Sequence, residues 1–370
     1  MKNKKSKIKK VRWQPILVAV SIAAAAVLVA AVFGIYGKSG DKAVVESLPE
    51  AQMERRLIDG VFVLPAEVDP PLVGVMIENM IEAQPISGIA DATLVFEAVT
   101  EANITRFLGY FVLNEINEIY GGPSSGRPED GLRFIEIGPV RSARPYYLDW
   151  AAEFNSLYAH IGSSPAAYEL LRKKGVEGVQ DFDQWYNPQY FYSKARRPKP
   201  HHLYTSTELL GEAYEADMEH GTWNMEHKLD PWKFKNDAAA DLRGDVNEII
   251  AGYAAPYDVR WAYDKLENQY KRIQWGGEHR DAQGRAIIAK NIAVAFQKMK
   301  ILDEVGRKEF TTLGEGKGLV FQDGRVVVGV WKKLSARERM RWYDAQGSEV
   351  EFNAGVTWIE IVPENFGVRY

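Results

Sequence analysis

The sequence predicts an α+β protein: a single-pass N-terminal transmembrane helix, then an α/β domain with a mixed, partly parallel sheet, then a C-terminal β-rich domain. Three observations support this prediction. An uncharged apolar run follows a basic block at the amino terminus. Strand-like and helix-like segments alternate between residues 133 and 175, and strands separated by turns dominate after residue 246.

The apolar run at residues 15–36 contains no charged residue. At ~1.5 Å per residue, a helix of this length spans ~33 Å, which is enough to cross the hydrocarbon core of a bilayer. A cleaved signal peptide is the alternative, but its apolar region is usually shorter and ends at a small-x-small site that this run lacks. We therefore predict a signal anchor at 15–36, preceded by a cytoplasmic basic tail at 1–14 and followed by a tether at 37–70.

The charge distribution sets the topology and limits the partners. Residues 1–12 contribute +7 to a formal net charge of −4, which leaves −11 for the rest of the chain. The basic flank is expected in the cytoplasm and the bulk of the chain outside it, in the cell envelope. An acidic outer part argues against nucleic acid as a partner. The expected partners are the membrane, through residues 15–36, and an anionic envelope polymer or an envelope protein.

The amino-acid composition excludes several kinds of chemistry. The chain has no cysteine, so disulfides, thiolate metal ligands and a cysteine nucleophile are all excluded. The histidines and carboxylates do not show the spacing of a metal site. We expect no metal and no cofactor.

The α/β domain is predicted at residues 71–219. Compact apolar runs predict buried strands at 72–77, 92–96 and 106–112. Further along, strand-like and helix-like segments alternate with short links, which is typical of a βαβ unit and a partly parallel sheet. These segments are strands at 133–137 and 157–161, and helices at 145–154 and 165–174. A further helix is predicted from Thr205, where Thr205 and Glu208 match a capping box, to about residue 219.

The remainder of the chain reads as a polar connector at 220–245 and a β-rich domain at 246–370. Asp264–Asn268 is the predicted turn of a hairpin, and Gln322-Asp323-Gly324 is a second turn with the residues that turns favour. Strands are predicted at 258–263, 269–273, 291–296, 318–321, 325–331 and 356–362.

Two strand-to-helix junctions concentrate polar residues. In the first, Arg141, Ser142 and Arg144 precede a helix whose start offers unpaired N–H groups, so an anion would be stabilised there by donors, dipole and charge. The alternative is a helix capped by Ser142, whose arginines pair with local carboxylates. In the second junction, Ser163 and Ser164 precede Pro165. Ser164 fits an N-cap or a ligand hydrogen bond, because the sequence lacks the sharp elbow of a nucleophilic serine.

Two histidines and two acidic residues complete the candidate site. His160 ends an apolar strand, where a core histidine is the alternative to a site residue. His201 lies in a loop beside a helix start, which makes it the better candidate for acid–base chemistry. Glu97 and Glu101 lie near Arg106 in the sequence, on one helical face or beside the end of a strand. We expect a salt bridge to Arg106, and the alternative is that the two carboxylates act as a paired general acid and base.

These segments together resemble the YerB-like family of bacterial envelope lipoproteins, which is built from two consecutive domains of unknown function (domain of unknown function 3048). The run from Gly138 to Pro145 is the most specific part of the resemblance, and His160–Ala166, Pro200–Thr205 and Gly355–Ile359 add to it. The chain departs from the family pattern in having no lipidated cysteine and in having His202 where relatives have asparagine. The resemblance implies an envelope protein without an assigned reaction.

The leading functional prediction is a membrane-anchored extracytoplasmic envelope protein that binds a polar or anionic envelope ligand through its α/β domain. The predicted ligand-binding residues are Arg141, Ser142, Arg144, Ser163, Ser164, Glu97 and Arg106. One alternative is a hydrolase or transferase that acts on an envelope polymer with His201 or His160 as acid or base. The other is a non-catalytic scaffold for an envelope protein complex.

Overall fold

The protein is described here by a computed structural model that covers residues 53–113, 135–220 and 229–370. The predicted basic tail, the anchor at 15–36 and the tether as far as residue 52 lie outside the described residues. Within those three ranges, no helix combines the length and apolarity needed to cross a bilayer. Likewise, no cluster of histidine, aspartate and glutamate in these ranges could hold a metal ion.

The first half of the described chain carries ten strands and three α-helices. The helices are α1 (Pro145–Ala151), α2 (Pro165–Tyr168) and α3 (Thr207–His220). Helix α1 continues as a 3-10 turn at Ala152–Phe154, and α2 as a π-helical turn at Glu169–Lys174. The strands are β1 (Glu54–Arg55), β2 (Phe62–Val63), β3 (Leu72–Glu78), β4 (Leu94–Val99), β5 (Thr105–Val112), β6 (Glu136–Ile137), β7 (Ser156–His160), β8 (Val179–Asp183), β9 (Tyr192–Ser193) and β10 (Leu203–Ser206).

The second half, from residue 229 onward, is rich in β-structure, as predicted. Its fifteen strands are β11 (Phe234–Lys235), β12 (Glu248–Ala251), β13 (Val259–Asp264), β14 (Gln269–Gln274), β15 (Gly277–Glu278), β16 (Ile288–Ala289), β17 (Asn291–Gln297), β18 (Met299–Ile301), β19 (Lys308–Phe310), β20 (Gly314–Gln322), β21 (Arg325–Lys333), β22 (Arg341–Asp344), β23 (Phe352–Asn353), β24 (Thr357–Pro363) and β25 (Val368–Arg369). The predicted hairpin is present as β13 and β14, in which Asp264 pairs with Gln269.

A ten-stranded mixed sheet forms the centre of the fold, in the order β22-β21-β20-β17-β24-β4-β5-β3-β7-β8. The pairs β17–β24, β24–β4, β3–β7 and β7–β8 are parallel. The sheet therefore joins strands from both predicted domains, because β24 near the end of the chain pairs with β4 near its start. The division into domains at residues 219 and 246 stays a prediction.

The observed βαβ unit uses a different pair of strands from the predicted unit, with strand β7 common to both. Strand β6 pairs antiparallel with β10 outside the central sheet, whereas β7, helix α2 and β8 form the βαβ unit. The last predicted helix also begins later than expected. Thr205 lies in strand β10, and the Ser206 hydroxyl accepts the hydrogen bond from the Leu209 N–H at 3.2 Å.

Side chains alternate between the two faces of the central sheet, and each face is covered by a different layer. On one face, Phe96 stacks on Trp150 of helix α1, with ring centroids 5.8 Å apart. On the other face, Trp358 contacts Trp261 of the six-stranded sheet that contains β12, β13 and β14. The central sheet is therefore buried on both faces over much of its width, which explains its near-continuous apolar strands.

Candidate functional site

The ends of strands β3 and β5 bring the first candidate residues together. Glu78 of β3 lies directly opposite Arg106 of β5, so both side chains project from the same face of the sheet. The loop that leads into helix α1 crosses this edge, since the Arg141 N–H donates to the Met76 carbonyl oxygen at 2.8 Å. Arg106, Arg141 and Arg144 thus form one group, which we call the arginine cluster.

Arg106 is the buried centre of the arginine cluster. Its side chain is almost inaccessible, with 7% of the residue exposed, and its Nη1 atom donates to the Ser142 carbonyl oxygen at 2.7 Å. Among the described residues it makes no other hydrogen bond and no ion pair. Burial, together with the charges of Arg144 and Arg141, lowers the pKa of Arg106 to about 10. Within the described chain this guanidinium is therefore a buried cation with no carboxylate at ion-pair distance, although the charge of Glu101 acts on it from farther away. A buried cation without a directly contacting carboxylate is an unfavourable arrangement.

Arg141 belongs to a second interaction that includes His201. The Arg141 Nε lies 3.2 Å from one carboxylate oxygen of Glu78, and the Nδ1 of His201 donates to the other at 2.7 Å. The Arg141 Nη1 also donates to the Pro200 carbonyl oxygen at 3.2 Å. Glu78 therefore orients both side chains. The Nε2 of His201 makes no hydrogen bond within the described chain.

Arg144 is held by Glu101 in a bidentate pair. Its Nε and Nη2 donate to the two carboxylate oxygens of Glu101, each at 2.8 Å. Burial would raise the pKa of Glu101, but the hydrogen bonds and charge of Arg144 outweigh it and lower that pKa. Glu101 is presented by a loop in which Ala102 and Asn103 both have positive φ, a conformation that costs energy for residues other than glycine.

Lys308 of strand β19 adds a fourth cation near this loop. It is buried and makes no ion pair among the residues that the structure covers. Burial lowers the pKa of Lys308, and the charge of Glu101 offsets this only in part. Among the residues with a described structure, four cations therefore lie near two carboxylates, those of Glu78 and Glu101, and the charge of this group is positive.

The structure decides between the alternatives for the first junction residue by residue. Arg141 and Arg144 do pair with carboxylates, but with those of Glu78 and Glu101, which are distant in the sequence, and not with the local carboxylates that the alternative assumed. The predicted Ser142 cap is wrong, because the N-cap position of helix α1 is Arg144 and no side chain caps it. Ser142 contributes its backbone carbonyl oxygen to Arg106 instead.

The second junction lies beside the first but has its own chemistry. The Ser164 hydroxyl accepts a hydrogen bond from the Ala167 N–H at 3.4 Å, which confirms the N-cap prediction. Ser163 forms a backbone bridge with Ala143 and lines an open pocket of about 550 Å³. Both ring nitrogens of His160 face acceptors, the Gly162 carbonyl oxygen at 2.8 Å and the Asp181 carboxylate at 2.7 Å. His160 is therefore a satisfied core histidine.

Glu97 does not reach Arg106, and the expected salt bridge between them is wrong. Strand β5 pairs Arg106 with Ala98, so Glu97 projects from the opposite face of the sheet. There it accepts hydrogen bonds from the Nη2 of Arg272 at 2.8 and 2.9 Å and from the Nε1 of Trp358 at 3.0 Å. All of these side chains are fully buried, which puts Glu97 in the core between the two sheets.

Sequence reasoning missed two contributors to the cluster. Glu78 follows directly after a predicted buried strand, and a charged residue at that position is a signal for a site at the edge of a sheet. Lys308 carried no such signal, because only the folding of the β18–β19 hairpin brings it near Glu101.

Comparison with known proteins gives matches along both halves of the chain. The family model described as the N-terminal domain of a protein of unknown function (DUF3048) matches residues 63–220, and the model of the C-terminal domain matches residues 249–359. One relative is YerB of Bacillus subtilis (strain 168), which is named as a candidate lipoprotein. It is 29% identical to this chain over 296 residues. That alignment covers 79% of this chain and 81% of the relative.

A solved structure agrees with these matches. The crystal structure of the YerB protein from Bacillus subtilis superposes with a TM-score of 0.69 at 25% sequence identity. The similar region covers 85% of this chain and 99% of that chain. The two folds therefore correspond over nearly the whole of the solved relative.

Proposed function

We propose a function for this chain, which belongs to the two-domain family of unknown function DUF3048. It is a membrane-anchored envelope protein that binds an anionic ligand over Arg106. The support for its location is the basic block, the apolar run at 15–36 and the lipoprotein name of the Bacillus relative. The support for the ligand is the arginine cluster. The ligand is a phosphate- or carboxylate-bearing envelope molecule.

One observation carries the ligand proposal. Among the described residues, Arg106 is a buried guanidinium whose one hydrogen bond goes to a neutral carbonyl, and its neighbours Arg141 and Arg144 are also cations. Lys308 adds a further cation near Glu101. A buried cation is costly unless it is paired. An anion that enters the cluster would supply the missing charge, and each charge-assisted hydrogen bond to it would be worth about 1.5–3 kcal/mol.

Calorimetric titration of the full-length chain with short-chain inorganic polyphosphate tests this proposal. We expect Arg106→Gln to weaken binding by about tenfold to a hundredfold. Arg260→Gln is the matched control, because Arg260 forms an exposed ion pair with Glu248 in the β12–β13 hairpin and no described hydrogen bond or ion pair joins it to the cluster. Equal affinity of the Arg106 and Arg260 variants would contradict the proposal.

The proposed topology has a separate test. External protease added to intact cells should digest residues 38–370 and leave a short amino-terminal fragment. Full protection of the chain, or release of a mature protein that lacks residues 1–36, would contradict the anchor.

A second candidate function rests on His201. The Nδ1 of His201 donates to Glu78, while its Nε2 makes no hydrogen bond with any residue of the described ranges. This is the arrangement of a histidine general base oriented by a carboxylate. If the protein cleaves or transfers an envelope polymer, His201→Ala should lower the rate by about 10²–10⁴ while binding survives. We favour the binding function, so we expect no turnover of peptidoglycan or anionic polymer fragments, and an effect of His201→Ala on affinity alone.

A further inference from the structure

The pocket at the second junction has aromatic side chains that face solvent. Trp185 is 72% exposed, whereas the other seven tryptophans that the structure describes are buried or half-buried. Tyr186 and Tyr168 are also exposed and line the same pocket. Exposed aromatic side chains grouped in a concavity mark a binding site more often than a chance surface feature. We call this group, with Ser163, Glu169, Lys173 and Asp183, the aromatic pocket.

The exposed tryptophan is held in place by its backbone. One oxygen of the Asp183 carboxylate, Oδ1, accepts hydrogen bonds from the Trp185 N–H at 3.2 Å and from the Gly162 N–H at 2.9 Å. Gly162 has a φ of +59°, and a Cβ at this position would lie 3.3 Å from the indole nitrogen of Trp185. The indole therefore lies against the turn at Gly162, and the turn fixes its position before any ligand binds.

The lining of the pocket carries two carboxylates and one cation, and Arg172, which pairs with Asp181 at 2.9 Å, lies beside it. Glu169 and Lys173 form an ion pair at 2.8 Å across one side. The guanidinium of Arg172 lies 3.7 Å from the ring centroid of Tyr186, so it already occupies the position of a cationic ligand on that ring. A cation would be repelled by Arg172 and Lys173, and an anion by Asp183 and Glu169. The ligand that suits this lining is neutral.

Hydrogen-bonding capacity remains in the pocket. The second carboxylate oxygen of Asp183 and the hydroxyl of Ser163 make no hydrogen bond with any described residue, and both residues line the cavity. A neutral ligand with an apolar face for the indole and a rim of hydroxyl groups for these acceptors would use both features. A pyranose sugar has this shape, because its ring C–H groups form an apolar face and its hydroxyls project around the edge.

We propose that the aromatic pocket is a carbohydrate-binding site, in which a sugar ring of a neutral glycan chain stacks on Trp185 and donates hydroxyl hydrogen bonds to Asp183. The cavity of about 550 Å³ is within the range of roughly 300–1,000 Å³ that small-molecule sites occupy. The inference does not rest on the anion site, since the arginine cluster contributes no side chain to this pocket.

Saturation-transfer difference NMR on the full-length chain tests the site. The chain is held in a zwitterionic detergent without a sugar headgroup, and the probes are chitotetraose, cellotetraose and maltotetraose at millimolar concentration. We expect at least one of them to receive saturation, most strongly at its ring C–H protons. Trp185→Ala should weaken binding by about tenfold or more, and Trp185→Phe should retain part of it.

Two control variants make the result decisive. Leu266→Ala removes another exposed apolar side chain, one that lies in the β13–β14 turn and does not line the pocket, and it should leave saturation transfer unchanged. Arg106→Gln alters the anion site and should also leave it unchanged, so failure of one proposal is distinguishable from failure of the other. Absence of transfer to all three sugars, or transfer that persists in a folded Trp185→Ala variant, would overturn the proposal.

Discussion

The Nη2 atom of Arg272 donates to both carboxylate oxygens of Glu97, at 2.8 and 2.9 Å, and the two side chains are completely buried between the two sheets. The Nη1 atom of the same guanidinium donates to Gln274 at 2.6 Å and to the Nδ1 of His279 at 2.5 Å. Residues 175 positions apart in the chain thus connect the central sheet to the second sheet.

Removal of Arg272 should destabilise the fold more than removal of Glu97. Breaking a buried pair usually costs about 3–5 kcal/mol because one charge is left uncompensated, and we expect a loss of this size for Arg272→Met. In Glu97→Gln the loss should be smaller, since the neighbouring Glu360 can ionise and compensate Arg272. Urea unfolding monitored by circular dichroism measures both losses. Arg260→Gln, on an exposed pair, should change stability by less than about 1 kcal/mol, and equal losses in all three variants would contradict this account.

Glu360 should make the free energy of unfolding depend on pH. Burial, and then the charge of Glu97, raise the pKa of Glu360 to about 8, whereas the unfolded chain has the ordinary value of 4.5. The folded state therefore keeps a proton that the unfolded state releases, so this contribution to stability is complete below pH 4.5 and is lost as the pH rises through 8. Burial, and then Arg272, lower the pKa of His279 well below 6.5, so its contribution is lost as the pH falls below 6.5.

Below pH 6.5, the contributions of Glu360 and His279 to the free energy of unfolding change with pH in opposite directions. Above pH 6.5, only the contribution of Glu360 still changes. We therefore expect the stability of the protein to fall between pH 6.5 and pH 8. Glu360→Gln should remove this decline, because the amide keeps a carbonyl oxygen for the Trp261 N–H, which lies 2.8 Å from Glu360. Urea titrations at pH 6.5 and pH 8 check the prediction. The same decline in both proteins would show that Glu360 is ionised in the folded state.

Glu101 should limit the affinity of the anion site. Its carboxylate pairs with Arg144 and partly offsets the positive charge around Arg106. Glu101→Gln removes this negative charge, so we expect polyphosphate to bind several-fold more tightly at low salt, with a smaller gain at high salt because of screening. The control is Glu248→Gln, which removes an exposed charge of the same sign elsewhere. Weaker binding in Glu101→Gln would mean that the bidentate pair itself positions the site.

Local sequence patterns predicted much of the fold. Apolar runs located strands β3 and β5, the capping serine and proline located helix α2, and the turn residues located the hairpin of β13 and β14. These features depend on residues that are close in the chain, so a single sequence contains them. The loop from Gly138 to Pro145 was noted for its two arginines, and the structure brings both of them close to Arg106.

The interactions that the sequence did not predict depend on register or on distant residues. Glu97 was placed next to Arg106, but the two-residue period of a strand puts Glu97 and Ala98 on opposite faces, and the register of β4 with β5 selects Ala98. The residues that interact with Arg141, Glu97 and Glu101, namely Glu78, Arg272 and Lys308, come from other strands. No local sequence pattern determines the order of strands in a sheet. For the same reason the sequence did not indicate that Trp185 would be exposed.

The central claim is that Arg106, a buried cation with no ion pair in the described part of the chain, binds an anion. The melting temperature of an Arg106 variant tests this claim most directly. We predict that Arg106→Gln has a melting temperature equal to or above that of the unmodified chain, because an uncompensated charge is removed. Polyphosphate should raise the melting temperature of the unmodified chain but not of the variant. A variant that melts several degrees lower and is still stabilised by polyphosphate would contradict the claim.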